Sequence, residues 1–199
     1  MSSAPAVAWG LVAAASAAGF VVLGLHVEGR HVPAWDADVL RFVGRHRILP
    51  ENDEPLSAAP YVGGAVVAVV LAALLRARRF VEAGAFAATA AGAAVLSETL
   101  KHAFVRPSPD GVSVSYPSGH TLLTAAIAAA VVLAARDARL RATAVVLAAA
   151  ALAVVAIAIV KLHWHYPSDV VGGWLAGIAW VAVVRLAAHP WLERRRRDA

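Results

Sequence analysis

Long runs of alanine, valine and leucine recur along this chain, too many for a water-exposed fold to hide. They cover residues 5–27, 60–75, 80–104, 118–135, 143–161 and 168–188. A helix needs about 20 apolar residues to cross the roughly 30 Å hydrocarbon core of a bilayer. No water reaches backbone N–H and C=O groups inside that core, so each run must be helical. The sequence therefore predicts an all-α, polytopic bundle of six transmembrane helices, built as a single domain over residues 1–199. The 60–75 run is short and is expected to borrow residues 56–59. The first run has no basic residue ahead of it and further runs behind it, so it reads as a retained helix, not a cleaved leader. Composition agrees. Hydrophobic residues make up 60% of the chain and mean hydropathy is +0.68, above the roughly one-half apolar usage of soluble domains.

Between the first two runs, Trp35, Val39, Leu40, Phe42 and Val43 recur at roughly helical spacing, with Asp36, Asp38, Arg41 and Arg45 between them. That pattern predicts an amphipathic helix lying in the membrane interface. Packing beneath a neighbouring span is the other use of such a face. Loop charges set the orientation. Arg76, Arg78, Arg79, Arg136, Arg139, Arg141, Arg185 and the run Arg194 to Arg197 fall on one side, giving it eleven Lys/Arg. Arg30, Arg41, Arg45, Arg47, Lys101, Arg106 and Lys161 give the other side seven. The positive-inside bias then puts both termini in the cytoplasm of a multi-pass cell-membrane protein. Because the basic residues cluster at the ends of apolar runs, the net charge of +5 fits topology better than nucleic-acid binding. The 189–199 tail reads as a solvated basic anchor. The chain has no cysteine, which excludes disulfides and thiolate metal sites.

An even number of helices gathers three polar groups on the extracytoplasmic face. They are Lys101 with Arg106, the segment Pro117-Ser118-Gly119-His120, and the segment His165-Tyr166-Pro167-Ser168-Asp169. Asp169 follows His165 by four residues, so the two share a face if the last span starts helically. A carboxylate on one ring nitrogen fixes the tautomer and leaves the other nitrogen free as a nucleophile. An interfacial histidine beside a capping aspartate gives the same pattern. Ser118 and Gly119 open the fourth span. There they either offer free N–H groups to an anion or serve as an ordinary cap, and His120 is placed to protonate a leaving oxygen. Lys101 and Arg106 either snorkel to headgroups or hold phosphate oxygens, arginine gripping two at once. Glu98, three residues before Lys101, is spaced to neutralise part of its charge. His163 and His165 lack the carboxylates that would complete a metal site. No metal or other cofactor is expected, and His102 is expected on the loop surface.

Together these pieces resemble the type 2 phosphatidic acid phosphatase (PAP2) family. Its first motif is Lys, six residues, Arg-Pro. Its second is Pro-Ser-Gly-His, and its third is Ser-Arg, five residues, His, three residues, Asp. The likeness runs over residues 30–185 and includes Asp36. It implies a membrane lipid phosphatase in which His165 is the nucleophile and forms a phosphohistidine. Asp169 would orient it, His120 would act as general acid, and Lys101, Ser118 and Gly119 would bind phosphate, with no metal. The implied partners are the bilayer and a lipid phosphate: a polyprenyl phosphate or diphosphate, phosphatidic acid, or phosphatidylglycerol phosphate. Two departures stand out. Ser108 occupies the first motif's arginine position, and Ala158 and Ile159 occupy the third motif's Ser-Arg. Arg106, which matches the first arginine of the Arg-Pro-x-Arg-Pro form of that motif, and Lys161 are expected to supply the missing charge. Loss of a transition-state contact of this kind costs about 10²–10³ in rate. The departures motivate a second reading, a degenerate relative that binds or moves phospholipid without hydrolysis. A nucleophile, its orienting carboxylate and an acid retained together favour the enzyme. Nothing in the sequence sets the oligomeric state.

Overall fold

The computed structural model describes residues 4–46 and 59–197. Its elements are α1 (Ala4–Val27), α2 (Ala34–Arg45), α3 (Ala59–Arg76), α4 (Phe80–Thr99), α5 (Gly119–Ala134), α6 (Ala138–Lys161) and α7 (Pro167–Arg197), with a 3-10 turn Leu100–His102 extending α4. Among the described residues the only extended pairing is an isolated bridge between Pro107 and Val114. Among the described residues four helical segments are long and apolar enough to cross a membrane: α1, Phe80–His102, α6, and Pro167–Arg194 of α7. α3 and α5 are apolar but shorter. The 16 residues of α5 reach roughly 24 Å at 1.5 Å per residue, short of a full hydrocarbon core. α5 packs against α4, α6 and α7, which shield much of it from lipid.

The helices match the expected spans closely except at two ends. α6 begins at Ala138, ahead of the apolar run, because Asp137 caps it and accepts the Leu140 N–H at 2.8 Å. A capping side chain can start a helix before the apolar pattern begins. α7 continues through Pro190 to Arg197, so most of the expected solvated tail is helical. Pro190 removes one backbone bond near the helix end, where few further bonds depend on it. Residues 56–58, Arg47 and residues 198–199 lie outside the described residues.

α7 is the central helix and packs against α1, α4 and α5. Its contact with α5 depends on missing side chains. A Cβ on Gly173 would sit 2.1 Å from Thr121 Oγ1 and 2.6 Å from the Ser118 carbonyl oxygen. One on Gly177 would meet the Leu122 carbonyl oxygen at 2.7 Å. This small-xxx-small spacing lets two backbones approach. Thr121 Oγ1 uses the gap to donate to Val170 O at 3.2 Å. The starts of α5 and α7 are thereby held together. On the α1 side, Tyr116 Oη donates to Phe20 O at 2.6 Å, and Phe20, Phe104 and Tyr116 form one aromatic cluster. At the other end of the bundle, Arg79 Nη1 donates to the last carbonyl of α5, Ala134 O, at 2.8 Å.

α2 is helical where its amphipathic pattern predicts, and it presents two adjacent apolar edges. Leu40 and Val43 pack against Ile159, Val160 and Val170 at the junction of α6 and α7, with Asp36 fully buried beside them. Trp35, Val39 and Phe42 remain exposed. Packing beneath a neighbour therefore accounts for one edge and leaves the other uncovered.

Candidate active site

The site begins where α6 ends. His163 adopts the left-handed φ of +58°. Its N–H donates to Val160 O and the Trp164 N–H donates to Ile159 O, both at 3.1 Å. These are the two bonds of a Schellman turn, in which glycine is the usual left-handed residue. The turn delivers His165 to the mouth of α7. Tyr166 caps α7, its carbonyl accepting the Val170 N–H at 3.3 Å, and Pro167 fills the first helical position, where no N–H is needed. Asp169 reaches back to accept the Tyr166 N–H at 2.7 Å, one half of a capping box. The same oxygen, Oδ2, lies 3.6 Å from His165 Nδ1. That is ion-pair range but longer than a hydrogen bond, and Nδ1 is buried with no hydrogen-bond partner among the described residues. The capping carboxylate and the histidine-facing carboxylate are one group.

Arg106 lies behind that carboxylate. Its Nη1 donates to Asp169 Oδ1 at 2.5 Å and to Ser168 Oγ at 2.6 Å, and its Nη2 donates to Asp36 Oδ2 at 2.8 Å. The guanidinium is 1% exposed and stacks 4.1 Å from the Tyr166 ring centroid. Burial raises the Tyr166 phenol above its ordinary range, and Arg106 pulls the other way. Arg106 is expected to hold phosphate oxygens; in this structure both of its terminal nitrogens donate to protein acceptors.

Ser118 opens α5 with its side chain accepting the Thr121 N–H at 3.4 Å. Its own N–H donates to Asp169 O at 3.0 Å, which ties the second polar segment directly to the third. Gly119 faces Ser97 and Lys101, whose Cε would lie 3.8 Å from an added Cβ. His120 follows, half-buried, with its ring 6.1 Å from Trp164 and within electrostatic reach of His165, Lys101 and Glu98. Lys101 Nζ sits 3.4 Å from Glu98 Oε1. The structure thus brings Lys101, Ser118, Gly119, His120, His165 and Asp169 to one end of the bundle.

The two positions where the family pattern has arginine serve other contacts here. Ser108 is buried and its hydroxyl donates to Asp110. That bond, with the Val112 N–H, holds the Asp110 carboxyl below its usual range, and His165 reinforces the shift. Ile159 is fully buried in the α2 contact. Lys161 ends α6, half-buried. His102 and His163 are exposed. Among the described residues, no three His, Cys, Asp or Glu side chains cluster as a metal site.

Sequence reasoning counted Asp36 in the family likeness but gave it no contact. An acidic residue on the buried edge of an amphipathic helix was the available signal. Asp110 was missed because nothing in its local sequence distinguishes it from any other turn aspartate.

The fold and the site fall in the class of helical membrane phosphatases. The chain belongs to the PAP2 superfamily, whose model matches residues 10–193. No curated protein matches it. Among solved structures it is similar to the first transmembrane PAP2 type phosphatidylglycerolphosphate phosphatase from Bacillus subtilis, with a TM-score of 0.72 and 18% identity, over 87% of this chain and 94% of that one. At that identity the likeness speaks for the fold.

Proposed function

We propose that this chain hydrolyses a lipid phosphate through a phosphohistidine, in a bundle that crosses the cell membrane six times with both termini cytoplasmic. α2 lies in the extracytoplasmic interface, its exposed Trp35, Val39 and Phe42 against lipid. The observation that carries the reading is the meeting of the His165–Asp169 pair with His120, Lys101 and the α5 N-terminus at one end of the bundle.

Asp169 faces Nδ1, so Nε2 is the nucleophile. Its lone pair attacks phosphorus, the N–P bond forms, and the P–O bond to the lipid breaks. His120, protonated, gives its proton to the departing oxygen. Water then attacks the phosphohistidine, giving a proton to His120 as phosphate leaves and His165 is restored. Lys101 and the N–H groups that open α5 at Ser118 and Gly119 hold the phosphate oxygens, with Lys161 at the rim and no metal in any step. Arg106 acts on Asp169, not on phosphate. Substrates of this shape are a polyprenyl phosphate or diphosphate, phosphatidic acid, or phosphatidylglycerol phosphate.

The loss of cations at Ser108 and Ile159 favours one other reading, a protein that binds phospholipid without cleaving it. The test is phosphate release by detergent-solubilised protein from a panel of lipid phosphates, beside His165→Ala. Release that falls by about 10³-fold or more in the variant supports the hydrolase. Lipid binding with no release supports the second reading.

A further inference from the structure

We infer that Asp36, far from the reacting atoms in sequence, is a positioning residue for the catalytic carboxylate, and that α2 is therefore part of the catalytic apparatus. This rests on the role proposed for His165.

Tyr166 cannot cap the first N–H groups of α7 with its own side chain, because a phenol offers no acceptor at that reach. Asp36 does so from another helix. Its Oδ1 accepts the Ser168 N–H at 2.8 Å. Its Oδ2 accepts the Ser168 hydroxyl at 2.5 Å and Arg106 Nη2 at 2.8 Å. Asp36, Ser168 and Asp169 are each 0% exposed and Arg106 is 1% exposed. A single guanidinium is thus shared between two buried carboxylates, each charge-assisted and each closing the same helix start. A buried carboxylate kept ionised needs such partners.

The sharing has a directional consequence. Arg106 is pulled towards Asp36 by Nη2 and towards Asp169 by Nη1. Without the Asp36 charge, the guanidinium is free to settle wholly on Asp169. Oδ1 would be gripped harder, and the carboxylate would turn about that bond. Oδ2, which must approach His165 Nδ1 from 3.6 Å for the pair to hydrogen-bond, would be displaced. A second effect is mechanical. Asp36 is one turn from Leu40, which packs on the α6–α7 junction, so the seat of α2 and the aim of Asp169 are fixed by the same contacts.

The test uses Asp36→Asn in the full chain. Asparagine keeps the shape and an acceptor for the Ser168 N–H, turns its Nδ2 donor toward Arg106 Nη2 in place of the lost oxygen, and leaves one carboxylate for one guanidinium. The expected result is a fall in kcat of about 10–100-fold, the range seen when a residue supporting a ligand is removed. KM should stay unchanged, and the ring-nitrogen NMR shift of His165 Nδ1 should move. Ser168→Ala, which removes only the bridging hydroxyl, is expected to lower kcat about 3–10-fold with the same KM and covers the case in which Asp36→Asn fails to fold. Unchanged kcat in either folded variant overturns the inference. So does a lower kcat with the His165 shift unmoved, which marks a merely structural role. If His165→Ala keeps its activity, the proposed nucleophile is wrong and the fault lies there, not with Asp36.

Discussion

Gly173→Ala places a methyl group where the starts of α5 and α7 meet. In an open helix the change is favourable by about 1 kcal/mol, because alanine is the better helix former. Here the new Cβ would lie 2.6 Å from the Ser118 carbonyl oxygen and 3.0 Å from the Leu122 nitrogen. Thr121 Oγ1, at 2.1 Å, would have to leave its bond to Val170 O. Backbone cannot rotate away as a side chain can. Ordinary carbon–oxygen contact therefore requires the two helices to separate by roughly 0.6 Å. Overpacking of this kind costs about 1–3 kcal/mol, so the net loss of stability is about 1 kcal/mol after the propensity gain. The functional loss is larger. Ser118 donates to Asp169 O across this contact, and separation moves the α5 N-terminus away from His165. A misplacement of about 1 Å can cost 10²-fold in rate, so roughly tenfold in kcat is expected. The assay pairs thermal unfolding in detergent with phosphate release. Gly84→Ala is the control, since nothing lies within 4 Å of its added Cβ, and it should be neutral or stabilising. Wild-type turnover and melting temperature in Gly173→Ala would refute the close-approach argument.

Three further outcomes follow from other contacts. His163→Gly relieves a left-handed conformation costing about 1–2 kcal/mol, offset by the greater unfolded entropy of glycine; the melting temperature should hold or rise, with kcat unchanged. Asp137→Ala removes the α6 cap and should cost about 1 kcal/mol in chemical or thermal unfolding, with no change in phosphate release per folded molecule. Asp110→Asn removes a loop anion within electrostatic reach of His165, and KM for a lipid phosphate should fall about two- to fivefold, as for an exposed charge worth up to about 1 kcal/mol. Because Ser108 holds the Asp110 carboxyl below its usual range, the side chain stays ionised above about pH 5, so this gain should be flat from about pH 5 to 8. The stability Asp110 draws from Ser108 is present above the unfolded carboxylate pKa and is lost as pH falls through the lower folded value; acid-unfolding midpoints of wild type and variant check the sign.

The helices were legible because membrane spans are set by composition over long windows, and Ala/Val/Leu runs have no other way to satisfy their backbones. The ends were less so. Asp137 starts α6 by a local hydrogen bond that hydropathy does not register, and Pro190 failed to stop α7. In the candidate site, His120, His165, Asp169 and Ser118 could be singled out because their spacing relative to helix starts carries their geometry. The protein partners of Arg106 could not be read in the same way. Whether a cation meets phosphate or a carboxylate depends on what is folded behind it, and here that is Asp36, 70 positions away. Ser108 and Ile159 were visible as losses. What they gained in exchange, a bond to Asp110 and a contact with α2, needed three dimensions.

Ile159 is packed with Val43, Val160 and Val170 and has no exposed surface. An arginine put back at this position alone would drive an ionised group into an apolar seat and lift α2 from the bundle. The family's arginine at this position is therefore closed to single substitution. Val43 or its neighbours would first have to be loosened, at a loss of fold stability, before a cation at 159 could be of use. The missing charge is in that sense no longer a defect awaiting repair but a commitment that the rest of the fold has built upon.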